Sequence, residues 1–169
     1  MKRKTGVERP ITKSVLREKI VAQLTENIGL LEKAAQASHA EATHESSKAE
    51  NKYDTRGLEA AYLAGGQARQ LREIVESMEL YVSLPLRDFQ PDEPIDITAL
   101  VDLEMDGVRS LYFLGPRSGG LELTCARQEI TVITPQSPLG QNLMRKRTGD
   151  QWSAKIGGGA VKYVIRGVS

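Results

Sequence analysis

Two apolar seams in the first half of this chain mirror each other about the Asn51–Lys52 bond, and that symmetry leaves few folds open. Val21, Leu24, Ile28, Leu31, Ala35, Ser38, Ala42 and Ala49 recur at three- and four-residue steps or their sum. Ala61, Ala64, Ala68, Leu71, Val75, Met78 and Val82 recur at the same steps. This is the spacing of a heptad seam along a helix. Paired antiparallel, Val21 faces Val82, Leu24 faces Met78, Ile28 faces Val75 and Leu31 faces Leu71. Further out Ala35 faces Ala68, Ser38 faces Ala64 and Ala42 faces Ala61. Large side chains meet large ones at the base, and small ones meet small ones toward the tip. Residues 12–84 are therefore expected to form an antiparallel coiled-coil hairpin with its tip near 46–56. At about 1.5 Å per residue such a hairpin projects on the order of 45–50 Å. Gly65 and Gly66 fall among the small residues. Close approach of the two helices is one reason for them, and a loosened helix is the other.

The tip carries Glu50 and Asp54. A carboxylate near the end of the first helix meets the negative end of the helix dipole, so Glu50 is placed against its electrostatic preference. Asp54 has a competing local role as cap of the second helix. Thr43 to Arg56 is polar throughout except for Ala49 and Tyr53. A coiled-coil holdase would need apolar residues there. A thin extension that carries acids away from its own core is suited to reach into a partner.

Composition removes several classes. Lys and Arg number 23 against 22 Asp and Glu, a formal net charge of +1. A general nucleic-acid binder would show a basic excess. Cys125 is the only cysteine, which forbids an intrachain disulfide and fits a reducing, cytoplasmic setting. No apolar run is long enough to span a bilayer, and the start lacks a signal-peptide core, so no membrane partner is expected. His39 and His44 are five residues apart and fall on different helix faces, which gives no metal-binding spacing.

Proline ends the helical pattern. Residues 1–11 read as a basic tail and 85–97, with Pro85, Pro91 and Pro94, as a linker. Beyond it the period changes to two. Leu100–Met105 alternates as a strand, Asp106-Gly107 is a hairpin turn, and Val108–Leu114 returns. Leu121–Thr124, Ile130–Ile133, Trp152–Ile156 and Val161–Val168 read as further strands, the last two split by Gly157-Gly158-Gly159. Ser137 is placed to cap a short helix that begins at Pro138. Residues 98–169 are thus a small twisted sheet with one helix, and the chain as a whole is α+β.

Ser137-Pro138-Leu139-Gly140, then Leu143-Met144, then Gly149-Asp150 and a strand, resembles the C-terminal signature of the bacterial Gre-type transcription elongation factors. The tip stretch Glu50-Asn51-Lys52-Tyr53 resembles that family's Glu-Asn-x-x-Tyr, shortened by one residue. The family joins an N-terminal coiled-coil hairpin to an FKBP-like domain, the fold of FK506-binding proteins. The resemblance implies a monomer that binds RNA polymerase core and passes its hairpin down the secondary channel to the RNA 3′ end. Its tip carboxylates, Glu50 and Asp54, would act there on backtracked or paused complexes and share a magnesium ion with the polymerase. The protein would hold no cofactor of its own and would not itself be an enzyme, since the polymerase carries out the cleavage. One position departs from the pattern. Cleavage-active members carry an aspartate three residues before the tip glutamate, and this chain has Ser47, with Lys48 and Lys52 flanking Glu50. The alternative is therefore a channel-binding regulator without cleavage activity. A prolyl isomerase needs an aromatic-lined pocket, and aromatics are only 5 % of this chain.

Overall fold

A computed structural model describes residues 11–42 and 56–169. Two long N-terminal helices precede a six-stranded mixed sheet with a short helix, an α+β arrangement. The chain divides into two compact units, one made of residues 11–20 with Leu84–Ser169 and the other of Val21–Ser83.

Helix α1 runs Lys13–Ala42 and helix α2 runs Arg56–Ser83. Thr12 starts α1, its hydroxyl accepting from the Val15 amide at 3.4 Å and its carbonyl from the Leu16 amide at 3.0 Å. In the helical unit Leu24 is buried, and Ile28, Leu31, Ala35, Leu71, Val75 and Met78 are partly covered, as the seam requires. The Thr25 hydroxyl reaches the Met78 sulfur at 3.5 Å, which sets that layer of α1 against α2.

At the base the seam departs from the strict repeat. Val82 is 60 % exposed, whereas Tyr81 is 0 % exposed. A straight helix drifts against a seven-residue repeat, and of the two neighbours tyrosine has far more area to bury. Ser77, also buried, satisfies its hydroxyl on the Glu73 carbonyl at 2.7 Å. Further out Ser38, Ala64 and Ala68 are exposed. A Cβ placed on Gly65 or Gly66 would meet no heavy atom within 4 Å. Close helix approach is therefore not what these glycines serve. They soften α2, each by roughly 1 kcal/mol relative to alanine. The predicted tip, with Glu50 and Asp54, lies outside the described residues.

In the other unit the strands are β1 (Leu100–Met105), β2 (Val108–Leu114), β3 (Glu122–Cys125), β4 (Gln128–Ile133), β5 (Gln151–Ile156) and β6 (Gly159–Val168). Their order is β3-β4-β2-β1-β6-β5, with β2 and β4 parallel and every other pair antiparallel. Three hairpin turns hold positive φ at both central residues, the signature of turns that match strand twist. They are Asp106-Gly107 (46° and 86°), Ala126-Arg127 (49° and 63°) and Gly157-Gly158 (57° and 88°).

Alternation places Val101, Leu103, Leu114, Ile133 and Ile165 in one core with Phe89, Ile95 and Leu143. The other face is also apolar toward β4. Register sets Leu100 opposite Phe113, Phe113 opposite Val132 and Leu123 opposite Ile130, and all five are buried. Leu16 and Ile20, one helical turn apart and in the same unit, are fully buried. Along β1 that second face then turns polar at Asp102 and Glu104. Segment 85–97 supplies Phe89 and Ile95 to the core, and Ile95 pairs its backbone with Lys146 at 2.8 Å and with Arg145 at 3.0 Å.

Helix α3 (Pro138–Leu143) is capped by Ser137, whose Oγ accepts from the Gly140 amide at 3.1 Å and donates to the Thr134 carbonyl at 2.8 Å. A Cβ on Gly140 would lie 1.9 Å from the Thr134 oxygen. That atom is backbone and has no rotamer by which to yield. Gly140→Ala is accordingly expected to destabilise the protein by at least about 1–3 kcal/mol, the usual scale for overpacking. Gly120→Ala is the comparison for glycine loss in a turn. A urea midpoint for Gly140→Ala equal to that of the parent protein would refute the contact.

Candidate functional site

The residues that the sequence singles out for chemistry, Glu50 and Asp54, lie outside the described residues, as do Ser47, Lys48, Lys52 and Tyr53. Helix α1 ends at Ala42 and α2 begins at Arg56, so all six fall in the segment between the two helices. Among the described residues no group of three or more His, Cys, Asp or Glu side chains could hold a metal ion.

The basic run Arg145-Lys146-Arg147 does not form one patch. Arg145, at φ 67°, approaches Asp96 at 3.7 Å. Lys146 lies over the Trp152 ring, 5.3 Å from its centre. The Arg147 amide donates to Asp150 at 2.8 Å. Trp152 in turn stacks on Tyr163 with ring centres 4.8 Å apart and planes within 5°. Cys125 is buried, as expected of a small apolar side chain.

The polar part of the sheet carries two bidentate ion pairs. Arg166 donates to Glu104 at 2.8 and 2.9 Å, and Arg109 clasps Asp102 with both nitrogens. The Arg166 bond, helped by the nearby charges of Arg109 and Lys162, holds the Glu104 carboxyl below its usual range against the opposing effect of burial. Beside this ladder a shallow depression of about 370 Å³ is lined by Ile11, Leu100, Leu111, Val168, Asp102 and Gln128 among others. Its one lining carboxylate among these, Asp102, is already paired.

A second cluster was not foreseen from the sequence. The Lys13 amine donates to the Arg87 carbonyl and lies 4.6 Å from the centre of the Phe89 ring. The Arg87 guanidinium lies 4.3 Å from the same centre and pairs with Glu93 at 3.3 Å. One turn further along α1, Arg17 donates to the Leu84 carbonyl at 3.2 Å. Glu93 also accepts from the Gln90 amide at 2.9 Å, which is the main cause of its lowered pKa. Lys13 and Arg17 are four apart and share a helix face, a spacing visible in sequence. Their partners lie some seventy positions away, where no local pattern points to them.

No family model matches the chain, and no curated protein matches it. Solved structures are similar in outline. A structure of the transcription factor Gfh1 is 21 % identical, covering 89 % of this chain and 93 % of that one, at a TM-score of 0.38. Gfh1 of Thermus aquaticus is 22 % identical over 87 % and 92 %, also at 0.38. The GreA factor homolog Gfh1 of Thermus thermophilus is 20 % identical over 88 % and 94 %, at 0.35. Superposition this loose does not carry function from one chain to another.

Burial lowers the Lys13 pKa from 10.5 to about 8, the charge of Asp88 opposing this and that of Arg87 adding to it. Between those two values the unfolded chain binds more protons than the folded one, so stability should rise with pH across that window. In Lys13→Met this contribution to the slope should disappear. Urea midpoints measured from pH 7.5 to 10.5 give the answer; an identical pH dependence in the parent and the variant would exclude the assignment.

Proposed function

We propose that this protein is a Gre-type regulator of RNA polymerase that works from the secondary channel. The observation that carries the reading is the joining of two features in one chain. Two helices of 30 and 28 residues flank a polar segment with Glu50 and Asp54. They are followed by a small sheet domain whose Ser137-Pro138-Leu139-Gly140 turn is capped and tightly packed. Each feature is common alone. Together, in this order, they match the Gre plan.

Chemistry favours a helper over an independent catalyst. Glu50 and Asp54 are oxygen donors of the kind that magnesium takes a few at a time while keeping its waters. In a polymerase that already holds one metal ion, a second stabilises attacking and leaving oxygens of an in-line phosphoryl displacement. The role of this chain would be to hold a carboxylate where that second ion or its water is needed. The partners are then RNA polymerase core and the RNA 3′ end within it, in the cytoplasm. Among the described residues no helix is long and apolar enough to cross a membrane.

Ser47 favours a second reading. With a hydroxyl where cleavage-active members have a carboxylate, and lysines at 48 and 52, the tip is a weaker cation ligand. The protein would then occupy the channel and modulate elongation without promoting cleavage. Full-length protein is expected to co-purify with RNA polymerase core; no association at micromolar concentration would remove both readings. In a stalled, backtracked complex, RNA cleavage by the parent protein and its loss in Glu50→Ala would select the first. No cleavage by the parent protein, with elongation slowed on its addition, would select the second.

A further inference from the structure

The depression beside the charge ladder has no part in the proposed function, yet the chain itself runs into it. Ile11, where the described N-terminal segment begins, is one of its lining residues. Residues 1–10 therefore leave from the wall of this depression. Leu111 is only partly covered there, with Leu100 and Val168 beside it. Gly167 keeps the place open. It lies opposite Asp102 on β6, and a Cβ on it would stand 3.8 Å from that of Asp102, on the same side of the sheet. The lining crosses β6, β1, β2 and β4, from Gly167 to Gln128, or about 14 Å of strand spacing. Four extended residues back from Ile11 span about 13 Å, which brings position 7 within reach of the whole lining.

We propose that residues 1–10 dock in this depression as a strap, with Val7 seated against Leu111 and Arg9 beside Asp102. The sequence fits that path. Pro10 biases Arg9 toward extended backbone. In an extended chain alternate residues share a side, so with Ile11 turned to the depression Arg9 and Val7 follow it and Glu8 faces away. Val7 is the apolar residue of that set. Ion pairing does not select the occupant, because Asp102 and Glu104 already hold Arg109 and Arg166. Tethering does. A segment anchored a few residues away acts at an effective concentration on the order of millimolar or above, so a weak apolar contact is enough. A second copy of the chain has no such advantage. The strap closes the apolar row at Leu111 and clamps the start of α1 to β1 and β6.

The test uses the full chain and reads the amide resonances around the depression together with the urea midpoint. Val7→Ser should move the amide signals of Asp102, Leu111 and Gln128. It should also lower the folded-to-unfolded ratio on the order of tenfold, the worth of one buried valine. Val7→Ile should stay close to the parent in both. In Gly167→Val the new side chain stands in the depression, so adding Val7→Ser should cost nothing further, a non-additivity that a local effect at residue 7 would not produce. Unmoved signals at Asp102, Leu111 and Gln128 in Val7→Ser would overturn the proposal. So would shifts that grow with protein concentration, which would mark a second copy as the occupant. Equal cost of Val7→Ser in the parent and in Gly167→Val would overturn it as well.

Discussion

A missing side chain sets the geometry of the sheet unit. Because Gly140 has no Cβ, α3 can lie against the Thr134 carbonyl, where any other residue would bring a carbon to within 1.9 Å of the oxygen. The Ser137 hydroxyl bridges the same two partners, accepting from Gly140 and donating to Thr134. With α3 fixed there, Leu143 is fully buried in the core. The next residues then pair their backbone with Ile95, which ties the proline-containing segment to the sheet. Gly149 and Asp150 continue the series by bonding both backbone groups of Ile165 on β6, at 2.9 Å each. A four-residue motif thus fixes the path of the chain on both sides of it.

Charge is handled differently in three places. On the sheet, Asp102 with Arg109 and Glu104 with Arg166 are complementary and bidentate, the arrangement in which exposed pairs are most effective. In the loop after α3 the three basic residues do not act together: Arg145 approaches an acid, Lys146 lies over an aromatic ring, and Arg147 donates its backbone amide to the Asp150 carboxylate. Around Phe89 two cations meet one ring, Glu93 is committed to Arg87, and burial of Lys13 outweighs the opposing charge of Asp88. Only the last of these leaves a titratable group far from its ordinary behaviour.

The sheet was legible almost strand for strand because its signals are local. Alternation marks Leu100–Met105 and Val108–Leu114, glycine marks two of the three hairpin turns, and Ser137-Pro138 marks the helix start. The third turn, Ala126-Arg127, holds positive φ without glycine and carries no such mark. The heptad seam was legible as a rhythm but not in its phase at the base. Periodicity cannot tell Val82 from its neighbour Tyr81, and the larger ring takes the buried position. Gly65 and Gly66 were ambiguous between close packing and a softened helix, and only the space around them separates the two. Lys13, Arg17, Arg87 and Phe89 were invisible, because their association depends on tertiary contact between distant positions. The acids at 50 and 54 rest on sequence alone.

The sheet unit is not continuous along the chain: residues 11–20 belong to it, and so does everything from Leu84 onward. In polypeptide terms Val21–Ser83 is an insertion, threaded through a body that begins before it and finishes after it. Scission just beyond Ser83 would not liberate an intact globule. It would strip away Leu16 and Ile20, two wholly enclosed side chains, together with both helical cations that bind the carbonyls of Leu84 and Arg87. A self-sufficient version of the body calls for excision of Val21–Ser83, with Ile20 joined to Leu84, rather than simple removal of the front half.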